Sequence, residues 1–305
     1  MRPTVFYHES SLRHDTGSHP ETAARVERIL DHLHSASGGL DLRSPRAASP
    51  EDVGRVHTET HIARIRDVAH AGGGHLDADT VVSPDSYTAA LYAAGATLSA
   101  IDAVLAGDAP AAFALVRPPG HHARAGVAMG FCLFNNVAIG ARYLVEEKGL
   151  SRVAIVDWDV HHGNGTQETF YRDGKVFYLS LHRHPFYPGT GAADERGAES
   201  GAGTTLNVPL PATTSSEEYR RIFGEAMGEV ADFRPEFVLI SAGFDAYRED
   251  PIAGLNLDID DYGDLAARVR VACSEARGIV SSLEGGYNLE ALPKCVAAHL
   301  DGLDE

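Results

Sequence analysis

The chain is short of sulfur, of positive charge and of long apolar runs, and each shortage excludes something. Its 305 residues hold three cysteines, Cys132, Cys273 and Cys295. They lack metal-ligand spacing and cannot build a disulfide framework, so they read as reduced, mostly buried thiols in a cytoplasmic protein. Cys132 lies close to the polar motifs described below, but a small core filler is its simpler reading than a nucleophile. Lys and Arg number 26 against 43 Asp and Glu, a formal net charge of −17. Partners built on a phosphate backbone need the opposite balance, so direct nucleic-acid binding is not expected. An acidic surface suits cationic substrates, and more simply solubility. No run of 18 apolar residues occurs, so no membrane span is expected. The N-terminal stretch Met1–His8 is too short in apolar residues for a signal peptide. There is no repeat, low-complexity tract or long linker. At 44% hydrophobic, residues 1–305 can bury a large core as one compact domain.

What is present is concentrated at the ends of short apolar runs. Val153-Ala154-Ile155-Val156 leads directly into Asp157-Trp158-Asp159-Val160-His161-His162-Gly163-Asn164-Gly165-Thr166. In a strand, side chains two apart share a face, which would bring Asp157, Asp159 and His161 together. Carboxylates and imidazole are ligands for a borderline divalent metal, and three of them leave a position for water or substrate. A helix cap followed by a Gly/Asn turn is the plainer reading of Asp-X-Asp-X-His, but the other runs argue against it. Ala112–Val116 runs into Arg117-Pro118-Pro119-Gly120-His121-His122, and Val176–Leu179 meets Ser180-Leu181-His182. Phe237–Ile240 leads to Ser241-Ala242-Gly243-Phe244-Asp245, and Gly278–Val280 leads through Ser281-Ser282-Leu283 to Glu284-Gly285-Gly286-Tyr287. Continuous apolar strands separated by helical segments indicate an α/β fold, an open parallel sheet covered by helices on both faces. Ligands of such sheets bind beyond the carboxyl ends of the strands. Helices are expected over 21–34, 86–106, 135–147, 216–232 and 259–276, and surface loops at 45–50 and 71–74. Asp258-Ile259-Asp260 suits either a strand or a helix cap. The acid after Ser216 comes too early for a full capping box.

Several segments carry a resemblance when taken together. They are His19-Pro20-Glu21, His57-Thr58, Arg117 to His122, Gly130-Phe131-Cys132-Leu133-Phe134-Asn135-Asn136, Asp157 to Thr166, Phe186-Tyr187-Pro188-Gly189-Thr190-Gly191, Gly243 to Ala246 and Glu284 to Tyr287. In this order, across nearly the whole chain, they resemble the superfamily of histone deacetylases, acetylpolyamine amidohydrolases and acetoin-utilisation proteins. The likeness is greatest to its class II members and the bacterial histone deacetylase-like amidohydrolases. The resemblance implies the arginase–deacetylase type of sheet and zinc-dependent hydrolysis of an acyl amide. It implies Asp159, His161 and Asp245 as zinc ligands, and His122 as general base beside His121, which Asp157 would orient. Tyr287 would be the oxyanion donor, and Gly286 would leave it free to swing. Asn164 stands where class I enzymes place an aspartate, and a neutral partner should leave His122 the weaker base.

The same resemblance implies an acyl-lysine channel walled by Gly130, Phe131 and Tyr187, with Ile252 at its rim. Asp79 could be a rim carboxylate, though a solvated loop acid is the simpler reading. Structural potassium is implied too, at an inner site using Asp157, Asp159, His161, Ser180 and Leu181, with Phe170, Asp173 and Val176 matching part of an outer one. Acetyl-lysine, an acetylpolyamine or another small amide are the candidate substrates, and a homo-oligomer is compatible with the chain. Two other classes remain: a binuclear ureohydrolase-like enzyme, which needs further bridging carboxylates, and a non-catalytic acyl-lysine-binding module, which would be expected to have lost one of these groups.

Overall fold

A computed structural model describes residues 3–35 and 39–304. Met1 and Arg2, where the N-terminal reading begins, lie outside the described residues. Among the described residues the strands are β1 (Thr4–Phe6), β2 (Leu42–Arg43), β3 (Gly74–His75), β4 (Val81–Val82), β5 (Ala112–Ala114), β6 (Val153–Asp157), β7 (Val176–Arg183), β8 (Thr205–Leu210), β9 (Phe237–Ala242) and β10 (Ile279–Leu283). The helices are α1 (Ser10–Arg13), α2 (Ala23–Ser35), α3 (Pro50–Gly54), α4 (Glu59–His70), α5 (Ser86–Ala106), α6 (Asn136–Glu146), α7 (Asn164–Phe170), α8 (Ser216–Phe233), α9 (Ile259–Ala272) and α10 (Leu292–Leu303). Eight strands form one parallel sheet in the order β2-β1-β5-β10-β9-β6-β7-β8, while β3 and β4 pair separately. The α/β expectation of a helix-covered parallel sheet therefore holds.

The five strands legible in the sequence are the central ones, β5, β10, β9, β6 and β7. Both their faces are packed, so their bodies are mostly apolar and read as continuous runs, with the polar residues Asp157, His182 and Arg183 gathered at the carboxyl ends of β6 and β7. Strands β1 and β2 are too short to stand out, and β8 (Thr205-Leu206-Asn207-Val208-Pro209-Leu210) carries an asparagine and a proline. It lies at the sheet edge, where a strand tolerates a missing N–H donor. Register then aligns the carboxyl ends. Asp157 pairs with Ser180 on one side and Ser241 on the other, and Ser241 pairs with Ser282.

Helix α5 begins and ends where expected, closed by Gly107 in the left-handed region (φ 79°). It is long and apolar enough by length and composition to cross a membrane, yet 61% of its most apolar window is buried inside the protein. It packs against α6 and β5 as a core helix. Helix α8 starts at Ser216, where expected, and is capped by the preceding Ser215, whose hydroxyl accepts from Glu218 N. Asp258 settles as a helix cap, its N–H donating to Asp261 Oδ2 at 2.7 Å. Of the expected loop at 45–50, Pro50 instead opens α3, capped by Ser49 with Asp52. Helix α9 stops at Ala272, short of the expected 276.

Candidate active site

Four strand ends deliver the polar motifs to one edge of the sheet. Asp159 and His161 follow β6, Asp245 follows β9, His121 and His122 lie beyond β5, and Glu284 to Tyr287 leave β10. All are buried; Tyr287 keeps 8% of its surface exposed.

One ligand atom from each of Asp159, His161 and Asp245 lies within 4.8 Å of the others. His161 Nδ1 is 3.0 Å from Asp159 Oδ1 and 3.1 Å from Asp245 Oδ2. Atoms about 2.0–2.2 Å from a tetrahedral ion stand roughly 3.3 Å apart, so this spacing fits a single metal. Asp245 Oδ2 is buried and forms no well-aligned hydrogen bond, its near polar contact being His161 Nδ1 at 3.1 Å, an arrangement that a cation between the two would complete. The other oxygen of each carboxylate is fixed by backbone: Gly285 N donates to Asp159 Oδ2 and Val160 N to Asp245 Oδ1, both at 2.9 Å. A Cβ on Gly285 would come within 2.2 Å of Asp245 Oδ2, so only glycine fits there.

Protonation follows from burial and crowding. Burial and the neighbouring Asp159 charge push the Asp245 carboxyl up to about 7. Burial would raise Asp159 as well, but the charges of His121 and His161 hold it well below the usual carboxylate range. Against the cost of burial, Asp159 and Asp245 keep His161 protonated up to about 10. Groups sharing protons so closely would release them to a bound cation.

The two histidines differ as their partners do. His121 Nδ1 lies 3.1 Å from Asp157 Oδ2, and against burial the charges of Asp159 and Asp157 raise it to about 10. Asp157 Oδ2 also accepts from the Tyr178 hydroxyl at 3.0 Å. His122 Nδ1 donates to Asn164 Oδ1 at 2.8 Å, taking Asn164 as the acceptor expected from its place in the motif. Burial first, then the charges of His121 and His161, hold His122 well below its ordinary value. The rings of His121 and His122 are 4.0 Å apart.

Tyr187 packs edge-on to His122 at 5.1 Å and Phe131 edge-on to Tyr287 at 6.0 Å, so both rings lie beside the histidine and the tyrosine. Gly130 has φ 55°, and a Cβ there would come within 2.4 Å of the His122 ring. Gly130→Ala should therefore displace that ring and destabilise the fold by about 1–3 kcal/mol. Denaturant unfolding measures this, and an unchanged midpoint would contradict the packing described. Gly286 is less free than the sequence suggested. Its φ is 125°, and its carbonyl accepts from Arg25 Nε at 2.7 Å. Ile252 is half-buried, its N–H donating to Asp250 Oδ1 at 2.9 Å. Ser180 stands beside Asp157 across the β6–β7 pair, with its hydroxyl 2.9 Å from His182 Nδ1. The Asp173 carboxylate pairs with Arg142, and Phe170 O accepts from Asp173 N.

Several residues were given no role from the sequence. Glu284 Oε2 accepts from Gly120 N (2.7 Å) and His121 N (3.2 Å), anchoring the histidine loop to the end of β10. Phe186 stacks on His161 at 5.2 Å and 18°. Glu21, fully buried, pairs with Arg117 and Arg25, and the Arg25 guanidinium lies 4.9 Å over the Tyr287 ring. The available signal was a charged residue inside a motif, Glu21 after His19-Pro20 and Glu284 after the β10 run.

Residues 19–303 match the profile described as the histone deacetylase domain. A probable deacetylase from Archaeoglobus fulgidus is 41% identical over 95% of this chain and 82% of its own length. A histone deacetylase-like amidohydrolase from Pseudomonas aeruginosa is 40% identical over 93% and 76%. Among solved structures, an acetylpolyamine aminohydrolase from Burkholderia pseudomallei superposes with a TM-score of 0.90 at 30% identity, covering 99% of this chain and 98% of that one. With the sheet, the buried Asp159–His161–Asp245 cluster and the paired histidines in place, these likenesses make the chain a member of the histone deacetylase family.

Proposed function

We propose that residues 1–305 form a single zinc-dependent deacylase domain that hydrolyses the acyl amide of an acylated lysine or a lysine-like amine. The observation that carries this reading is the buried convergence of Asp159, His161 and Asp245, with Asp245 Oδ2 lacking a well-aligned hydrogen bond, beside the paired histidines and a buried tyrosine. A zinc ion held by these three would polarise the acyl carbonyl and bring the pKa of its water from ~16 towards ~7.

The chain's own groups do the rest. Because His122 Nδ1 donates to Asn164, its Nε2 is the free base. It takes the proton of the attacking water and passes it to the leaving amine. His121, held by Asp157, keeps its charge and keeps His122 neutral. The Tyr287 hydroxyl donates to the developing oxyanion, a contact typically worth ~3 kcal/mol of barrier. Phe131 and Tyr187 clasp the methylene stem, and the Gly130 carbonyl receives the amide N–H.

Potassium would sit under this site. Asp157, Asp159, His161, Ser180 and Leu181 offer the oxygen donors that a hard cation prefers, gathered where β6 and β7 end. Phe170, Asp173 and Val176 would supply part of a second position.

Ile252 at the rim offers no charge to a distal ammonium, which favours acyl-lysine over acetylpolyamines. The test compares kcat/KM of the zinc-loaded protein for acetyl-lysine peptides, longer acyl-lysines, N-acetylputrescine and N-acetylspermidine. Ile252→Glu should shift the ratio towards the polyamines several-fold, since a charge pair at a partly exposed rim is worth roughly 1 kcal/mol. Wild-type preference for acetylpolyamines by about a hundredfold would reverse the substrate assignment. One observation favours that second reading. The loop that carries Asp77 and Asp79 meets the proposed channel wall at Thr80, whose Oγ1 accepts from Phe131 N at 3.2 Å.

A further inference from the structure

Asp250 stands outside the metal-ligand cluster, yet its two oxygens hold two parts of the site at once. Oδ2 accepts from Tyr287 N at 2.8 Å. Oδ1 accepts from Ile252 N at 2.9 Å and Ala253 N at 3.2 Å. The carboxylate therefore closes the rim turn with one oxygen and fixes the backbone of the tyrosine with the other. A second tie runs alongside, from Asn288 Nδ2 to Glu249 O at 2.8 Å.

The need for such a tie lies in the residues before the tyrosine. Gly285 must be glycine because Asp245 Oδ2 and Asp159 Oδ2 occupy the space a Cβ would need, and Gly286 holds φ 125°. Two successive glycines are the most freely moving hinge a backbone can offer. A hydroxyl that must meet an oxyanion within about 0.5 Å cannot be carried on a loose hinge. Arg25 Nε grips the hinge at Gly286 O, and Asp250 grips it one residue later at the Tyr287 N–H.

We propose that Asp250 is a positioning residue that sets the Tyr287 hydroxyl and the Ile252 rim from one carboxylate, acting on the chemistry through Tyr287. This inference rests on the reading of Tyr287 as oxyanion donor. Both oxygens of Asp250 accept N–H groups, so an amide cannot replace it: one amide face would point a donor at a donor.

The test is a double-mutant cycle with Asp250→Asn and Tyr287→Phe in the zinc-loaded protein, read as kcat and KM separately. Asp250→Asn should lower kcat about 10-fold to 100-fold, as a misplacement near 1 Å does. KM should stay within about threefold, with unchanged zinc content and a cooperative unfolding transition. In the Tyr287→Phe background the same change should cost less than about twofold, because the hydroxyl it positions is gone. Asp250→Glu, which keeps the charge and both acceptors but moves them by a methylene, should show the same coupling, and it replaces the asparagine variant if that one does not fold. Equal losses with and without the Tyr287 hydroxyl would overturn the inference and leave the reading of the site standing. A Tyr287→Phe enzyme with near wild-type kcat would sink the reading of the site, and this inference with it.

Discussion

Asp245→Ala is expected to remove the bound metal and the activity together while leaving the domain folded. Asp245 lies in the turn after a central strand, and its carboxylate accepts a hydrogen bond from Val160 N and meets His161 Nδ1 at 3.1 Å. Losing that bond costs about 1 kcal/mol, partly offset by no longer burying a carboxylate crowded against Asp159. A 305-residue chain with this core survives such a change. The metal does not, because two ligands hold a divalent ion far less tightly than three. Metal analysis of the wild type should find about one zinc per chain, and the variant should bind none at micromolar zinc. Full activity in a metal-free preparation would refute the assignment. Two manganese ions per chain would instead point to the binuclear ureohydrolase chemistry weighed above.

The second large effect belongs to the groups that move protons and stabilise charge. His122→Ala and Tyr287→Phe should each lower kcat by at least ~100-fold, the typical effect of losing a general base or an oxyanion donor. KM should change by no more than a few-fold, since both act mainly in the transition state. Tyr287→Phe removes one hydroxyl and leaves the ring between Arg25 and Phe131, so structure is nearly unchanged. His122→Ala opens a hole beside Gly130, but Asn164, His121 and the three ligands remain. Steady-state kinetics on an acetyl-lysine peptide decides the matter. A variant keeping more than about half the wild-type kcat would remove that residue from the proposed role.

Much of this was legible in the sequence because the central strands are covered on both faces and end in chemistry. A strand such as Phe237–Ala242 has no solvent face, so its pattern is unbroken and its terminus is marked by the first polar residue, here the approach to Asp245. The ligands and the histidine pair stood out for that reason. Edge elements did not. Strand β8 keeps Asn207 and Pro209, which read as loop, and its place is set by pairing with β7 rather than by its own composition. Helices α4 and α10 were missed, α4 because its apolar positions are few, and α10 because Pro293 in its first turn reads as a break. Within the site, the residues that hold other residues were the hidden ones. Glu284 grips two backbone N–H groups of the histidine loop, 164 and 163 positions away, and Asp250 adds to its local turn a grip on Tyr287 N, 37 positions away, contacts that no local spacing records. The freedom expected of Gly286 was likewise a local inference, and its local glycine character is answered by Arg25 from the far end of the chain.

The strand order has a consequence for how the protein is made. The last strand, β10, lies in the middle of the sheet between β5 and β9, and it alone joins β2-β1-β5 to β9-β6-β7-β8. Until residues 279–283 have left the ribosome, the nascent chain carries two half-sheets, each ending in an unpaired edge lined by fully buried residues such as Phe113, Leu239 and Ile240. Such edges are templates for pairing with other chains. At about 5–20 residues per second, the interval between the synthesis of Arg25 and of the Gly286 carbonyl it binds, 261 positions later, is roughly 13–52 seconds. The catalytic edge of this enzyme is thus assembled by its final strand, and a chaperone that shields the β5 and β9 edges would act in that interval.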